Sequence, residues 1–437
     1  MAFEPHLGLF ESRLKNSPSW FWQGRIVSAS AQTVESLGPP CSLGEVCELV
    51  GSDGIRYEAE VIGFRGDRVV MMPLMTCNGV RHGDAVRALG RAAEIGMGAS
   101  MLGRVMDAVG RPMDGRGPLA ITKSALLDGN VPDAMDRVPI SEPLRTGVRA
   151  IDAMLTVGRG QRVGLFGGSG VGKSTLIGMM TRNTSADVTV VGLVGERGRE
   201  VREFLEDSLG EEGLKRSVVF VSTSDQSALL RMRAAQAATA AAEFYASQGM
   251  NVLLVLDSLT RYAMAAREVG LAAGEPPTSK GYTPSVFSRL AKLVERAGRF
   301  EHGSITAFYT VLMEGDDQQD PIVDSVRSYV DGHVVLSREL ASQGWYPPIQ
   351  VLDSLSRTMP AVTTKEHRAK VSEVRRLMAA HERSADLVRM GAYAAGADRE
   401  LDRAIAALPL IKAFLSQDLG ESPLVEETMA RLERLAL

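Results

Sequence analysis

Residues 162–180 read Arg162-Val163-Gly164-Leu165-Phe166-Gly167-Gly168-Ser169-Gly170-Val171-Gly172-Lys173-Ser174-Thr175-Leu176-Ile177-Gly178-Met179-Met180. Positions 167–174 form a complete G-x-x-x-x-G-K-[ST] loop, preceded by an apolar stretch of strand character and followed by the start of a helix. In that setting the glycines let backbone N–H groups close around phosphate oxygens, and the helix N-terminus adds partial positive charge. Gly167, Gly168, Ser169, Gly170, Val171, Gly172, Lys173, Ser174 and Thr175 are therefore the candidate nucleotide-binding residues. Lys173 is placed to reach the β- and γ-phosphates, and the Ser174 hydroxyl to ligate Mg²⁺.

A loop of this kind works with a carboxylate that holds the metal shell. Asn251–Asp257 is an apolar strand ending in such a group, which puts Asp257 at the carboxyl edge of a parallel sheet, where open α/β sheets bind ligands. Hydrolysis needs a further group to polarise water. Val191–Val194 leads into Gly195-Glu196-Arg197, where Glu196 is placed to orient water and Arg197 to bind the γ-phosphate or brace the site. Spacing alone leaves a surface salt-bridge cluster open for that segment.

Around these motifs the chain divides by pattern. Residues 1–22 form an arm, with Leu7, Leu9, Phe10 and Leu14 on one side of a short helix and an aromatic cluster at Trp20-Phe21-Trp22. Residues 23–90 alternate short β-type runs with Gly-containing turns, the pattern of a small β-barrel. Residues 91–359 alternate strand and helix signals, as in a parallel α/β sheet. Strands are expected at Val188–Val194, Val218–Val221, Val252–Leu256, Ile305–Val311 and Val334–Leu336, with a helix over Ala234–Ala246. Residues 360–437 read as helical: Val374, Leu377, Met378, His381, Ala385 and Val388 share one stripe. Ser422 and Pro423 are the expected N-cap and first turn of a last helix.

At 437 residues, two or three domains are expected. Lys and Arg number 49 against 53 Asp and Glu, for a net charge of −4, so no global basic field marks a nucleic-acid partner. Cys41, Cys47 and Cys77 are odd in number and lack C-x-x-C spacing, and the six histidines form no H-x-x-x-H pair. Buried free thiols and no protein-ligated structural metal are expected. No stretch is long and apolar enough to span a membrane, and the N-terminus has no signal pattern. These readings point to a cytoplasmic protein.

Gly195-Glu196-Arg197, the phosphate loop, and Leu256-Asp257-Ser258-Leu259-Thr260-Arg261-Tyr262 together resemble the catalytic subunits of the rotary ATP synthase superfamily. Two longer blocks narrow the resemblance: Gly274–Phe287, and Gly303–Val311 followed by Glu314–Ile322. Both look like the flagellar protein-export ATPases and their injectisome relatives. The resemblance implies an N-terminal β-barrel, a RecA-like P-loop core and a C-terminal helical domain, with six subunits in a ring. It implies ATP and Mg²⁺ as cofactors, Glu196 as the catalytic glutamate, Arg357 as an arginine entering the neighbouring subunit's site, and Tyr346 as the aromatic packed on adenine. It also suggests Tyr393 near the adenine pocket. The polar Glu275–Pro284 and Glu314–Pro321 segments are then loops facing a central channel. Implied partners are a regulator on the N-terminal arm, a central stalk protein, export chaperone–substrate complexes, and an export gate at the inner membrane, with peripheral association there. Where many relatives have His or Asn before Tyr-Pro, this chain has Trp345; where many have Pro-Ala-Ile-Asp it has Pro347-Pro348-Ile349-Gln350. These departures bear on base selectivity and local loop geometry and not on phosphate chemistry. The injectisome form is the nearest alternative, followed by a proton-coupled synthase subunit, a ring-forming RNA translocase and a non-catalytic nucleotide-binding scaffold.

Overall fold

The computed structural model describes residues 22–52, 54–313 and 319–435. The arm's Leu7, Leu9, Phe10, Leu14, Trp20 and Phe21 lie outside the described residues, as does the 314–318 part of the second polar loop. The chain forms two compact units. One holds the barrel through Glu94 together with Ser227–Leu229 and Glu268–Pro276; the other holds the remainder.

The barrel has six strands: β1 (Gln23–Ala29), β2 (Val34–Leu37), β3 (Glu45–Val50), β4 (Arg56–Arg65), β5 (Arg68–Pro73) and β6 (Ala85–Ala92), closed in the order β1-β2-β5-β4-β3-β6. Alternation along the strands sends Ile26, Val34, Cys47, Leu49, Tyr57, Val61, Met71 and Val86 inward, and closure leaves no open edge. Gly24 is required where β1 meets the turn after β2: a Cβ there would lie 2.1 Å from the Gly38 carbonyl oxygen. The three thiols are free. Cys47 is buried, and Cys41 and Cys77 are half-buried against the same core.

The second unit is built on a nine-stranded sheet. Its main path uses β7 (Arg104–Asp107), β8 (Arg162–Gly167), β9 (Val188–Glu196), β10 (Ser217–Thr223), β11 (Asn251–Asp257), β12 (Ser304–Leu312), β13 (Gly332–Val335) and β14 (Leu355–Ser356). The order is β14-β13-β8-β12-β11-β9-β10-β7, parallel throughout except for the β13–β14 pair. Helices cover both faces, so the central strands are apolar at nearly every position, as in β9, where Val188 to Gly195 are all buried. Each expected strand is present, extended by one to three residues at its ends, except that β13 stops at Val335.

The helices that matter here are α1 (Arg149–Met154), α2 (Lys173–Asn183), α3 (Gly198–Glu203), α4 (Ala228–Ala246), α5 (Leu259–Ala273), α6 (Lys365–Arg383), α7 (Arg399–Leu415) and α8 (Val425–Glu433). In α6, Val371, Val374, Leu377 and Ala380 form the buried stripe and join one apolar core with Ala404, Ala407, Ile411 and Phe414 of α7 and with the sheet's own residues. Each fully buried aliphatic side chain contributes about 1.5–3 kcal/mol, which fastens the helical region to the sheet. The stripe stops sooner than its periodicity suggests. His381 is only half-buried, and the helix ends at Arg383, leaving Ala385 and Val388 on a separate short helix, Ala385–Arg389. The last helix also starts later than expected. Its N-cap is Leu424, because the Ser422 hydroxyl is engaged by the Arg145 guanidinium at 2.9 Å.

Candidate active site

Strand β8 delivers the phosphate loop and α2 begins at Lys173. Gly170 and Gly172 have φ of +77° and +88°, where side-chain-bearing residues are strained. The loop therefore turns its backbone N–H groups toward the bay at the head of α2. The Lys173 ammonium is folded onto the loop, donating to the carbonyl oxygens of Gly167 (2.8 Å) and Gly168 (2.7 Å). Burial pulls it down to about 8, opposed by the carboxylates of Asp257 and Glu196. Ser169, Ser174 and Thr175 are exposed at the bay.

Asp257 ends β11, with β12 between it and the phosphate-loop strand. The Thr310 hydroxyl of β12 donates to its Oδ1 at 2.6 Å. Burial raises the Asp257 carboxyl, while Thr310, Lys173 and Arg261 pull it back. Among the described residues no hydrogen bond reaches its Oδ2. A buried carboxylate with one free oxygen, near an exposed serine hydroxyl at the head of α2, suits a hard divalent cation with oxygen ligands.

Glu196 ends β9, beside β11. Arg261, on the first turn of α5, grips it: Nη2 donates to Oε2 at 3.2 Å, Nε lies 3.2 Å from Oε1, and Nη1 donates to the Gly195 carbonyl. Burial raises the Glu196 carboxyl first, then its hydrogen bond with Glu200 and the charge of Asp257; Arg261 opposes all three. Glu200 moves the other way, held low by that shared hydrogen bond. The contact between the two carboxyls therefore moves them in opposite directions, Glu196 up and Glu200 down.

Lys173, Asp257 and Glu196 surround one bay. Arg197 is not drawn into it: its side chain is 77 % exposed and lies 3.5 Å from Glu200, while Arg261 takes the cationic place beside Glu196. Arg261 and Glu200 are the site residues that the sequence reading did not single out. Their signal was the register. Arg261 lies four residues beyond Asp257 and Glu200 four beyond Glu196, each in the first turn of the helix after its strand.

Helix α2 is braced from behind by a π-helical turn, Phe204–Leu209. A Cβ on Gly178 would lie 2.5 Å from the Ser208 carbonyl oxygen, so only glycine allows that approach.

The remaining candidates lie elsewhere on this unit. Arg357 follows β14 and is exposed; its backbone N–H donates to Asp331 O at 2.9 Å, and among the described residues no carboxylate pairs with its guanidinium. Tyr346 is 52 % exposed. Its neighbour Trp345 is buried, with the Lys412 ammonium 5.6 Å from its ring centre. Gln350 donates to Glu382 at 3.2 Å. The Tyr393 hydroxyl is taken up between α6 and α7 by Asp402 (2.9 Å) and the Asp398 carbonyl (3.0 Å).

Residues 147–356 match the family model of the ATP synthase alpha/beta family, nucleotide-binding domain, and residues 363–434 match that of the T3SS EscN ATPase C-terminal domain. The flagellum-specific ATP synthase of Pseudomonas aeruginosa is 51% identical over 418 residues, covering 94% of this chain and 93% of that protein. The chain belongs to this family of ATPases. A type 3 secretion system ATPase of Xanthomonas euvesicatoria is 47% identical over 94% of this chain and 93% of its own length. The assembled ATPase EscN of enteropathogenic E. coli, solved with its central stalk EscO, superposes with a TM-score of 0.87 at 42% identity, over 95% of this chain and 100% of that one. The bay of this type III export ATPase lies within the residues that match the nucleotide-binding domain.

Proposed function

We propose that this ATPase hydrolyses Mg²⁺·ATP at the interfaces of a homohexameric ring and thereby energises flagellar type III protein export. One observation carries the interfacial part. Lys173, Asp257 and Glu196 surround one bay, while Arg357 is exposed away from it, with no carboxylate partner among the described residues. An arginine is always charged and spreads over several phosphate oxygens, so an unpaired one on the surface suits the site of a neighbouring copy. Supplied in trans, such a group is worth about 10³–10⁵ in rate.

Ser174 and the free oxygen of Asp257 would hold Mg²⁺, which when bound neutralises charge on the phosphates. Lys173 exchanges the Gly167 and Gly168 carbonyls for phosphate oxygens, and loop N–H groups from Gly168 to Thr175 orient the chain of phosphates. Glu196 must be deprotonated to take the proton of the attacking water, and Arg261 favours that form. Arg197, exposed at the rim, braces Glu200. Tyr346 packs on the base.

The proposed partners are a regulator on the N-terminal arm, a central stalk, chaperone–substrate complexes and the export gate. The EscN complex with its stalk supports the stalk, and Lys280, paired with Asp320 at 3.0 Å, joins the two polar loops proposed to meet it. No helix among the described residues is long and apolar enough to cross a membrane, which fits a cytoplasmic protein held peripherally at the inner membrane. The injectisome reading has the 47% identical Xanthomonas relative in its favour. The 51% identical Pseudomonas relative and the Asp316–Pro321 block favour the flagellar one.

Hydrolysis per subunit measured across a wide protein concentration range tests the interfacial site. Specific activity should climb steeply as copies assemble. High, flat activity from demonstrably monomeric protein overturns the assignment of Arg357.

A further inference from the structure

The loop after α7 is tied into the site by bonds that phosphate chemistry does not require. Gln417 is buried, and its side chain is fully engaged. Its Oε1 accepts from the Arg149 backbone at 2.7 Å, and its Nε2 donates to the carbonyls of Gly147 (2.8 Å) and Glu421 (3.1 Å). Its own backbone N–H donates to the Tyr346 carbonyl at 2.9 Å. The Arg149 guanidinium holds the same loop, donating to Phe414 O at 3.0 Å and Ser416 O at 2.6 Å. Arg182, in the last turn of α2, donates to Leu419 O at 3.2 Å. From the other side Lys412, in the last turn of α7, sits over Trp345. The backbone of the exposed Tyr346 is therefore seated by the end of α7 and the loop behind it, and that loop is clamped in turn to the start of α1 and the end of α2.

We infer that Gln417 is a positioning residue for the base subsite: it locks the 416–421 loop, and through its N–H to Tyr346 O fixes the tyrosine that meets the nucleotide base. The inference rests on the reading of Tyr346 as the base-packing aromatic. It makes the C-terminal helical region a determinant of base affinity while leaving the phosphate bay untouched. A side chain bonded at three points in a buried setting has one rotamer available, so a change there moves the backbone rather than the side chain alone.

The test compares Gln417→Glu with Tyr346→Ala in the full chain. Glutamate keeps the volume and the acceptor for Arg149 but turns two donors into acceptors facing carbonyls. Calorimetric binding of ADP, which carries the base, is set against binding of inorganic tripolyphosphate, which does not. Base–aromatic stacking lost to alanine corresponds to about 5- to 140-fold in affinity. Gln417→Glu should weaken ADP within that range, leave tripolyphosphate unchanged, raise KM for ATP and keep kcat within about threefold. The double variant should be no weaker than the weaker single one. ADP affinity unchanged in Gln417→Glu, or both ligands weakened alike, overturns the positioning role. If Tyr346→Ala leaves ADP affinity intact, the base reading itself fails, a separate and distinguishable result. Should Gln417→Glu not fold, Lys412→Gln tests the opposite tether: a smaller rise in KM for ATP at constant kcat supports the seat, and no rise overturns it.

Discussion

Removing Arg261 should move the pH–rate profile rather than merely lower it. Glu196 is pushed up by burial, by its hydrogen bond with Glu200 and by Asp257, and Arg261 opposes them with two contacts of 3.2 Å. A cation at that range lowers the pKa of a carboxyl by about 1–3. In Arg261→Ala the Glu196 carboxyl therefore rises further, and near neutral pH fewer molecules carry the deprotonated form that is proposed to accept the proton of water. On the acid limb the rate follows that fraction, so a carboxyl ten times harder to ionise gives about a tenfold slower enzyme. Hydrolysis near pH 7 should then fall by roughly 10- to 1,000-fold and recover as pH rises. Arg261→Lys keeps the charge and should hold the limb within about one pH unit of its original position. The assay is phosphate release at saturating Mg²⁺·ATP and ring-forming protein concentration, scanned from mildly acid to alkaline pH. A loss equal at every pH would refute the reasoning, since it would put Arg261 on the phosphates or on loop geometry instead of on the Glu196 proton.

Glu196→Gln should abolish turnover by about 10²–10⁴-fold while raising thermal stability. A carboxyl whose pKa is higher folded than unfolded costs stability as pH rises from the unfolded to the folded value, and no more beyond it; with Glu196 raised to about 8, the margin by which the variant melts above wild type should widen from mildly acid pH up to about 8 and then level off, and calorimetry showing no widening in that window counts against the raised carboxyl. Arg357→Ala and Lys173→Ala should each be inactive alone yet active when mixed. In random rings roughly a quarter of interfaces then join an intact loop to an intact arginine, and silence of the mixture at every ratio argues against supply in trans. Gly178→Ala should cost about 1–3 kcal/mol, because the added methyl meets the Ser208 carbonyl of the π turn, a backbone atom that cannot rotate away; an unchanged denaturant midpoint would show that α2 and the turn are not rigidly packed.

What the sequence revealed of the fold followed from periodicity and punctuation. The barrel was legible because its strands alternate and its turns carry glycine, and the sheet because strands buried on both faces read as unbroken apolar runs. The phosphate loop, Asp257 and Glu196 were legible for a related reason: each sits where an apolar run stops, and a parallel sheet collects such ends along one edge. Residues one helical turn further on were harder to read. Arg261 and Glu200 matter because each helix folds back over its strand end, and a side chain four positions along carries no mark of that in composition alone. Arg197 shows the converse. It stands next to Glu196 in sequence, but successive residues diverge as the strand ends, and the guanidinium points to solvent while one from a different helix takes the inner position. The helix ends failed for a third reason. Ser422 has the chemistry of an N-cap, yet its hydroxyl is bound by Arg145, a residue 277 positions away, and a long-range partner of that kind overrides a local signal. The same holds for Trp345, which as a sequence departure pointed to base selectivity and to local loop geometry. In the structure it is a buried anchor under Lys412, so its size and apolarity are explained by packing next to Tyr346.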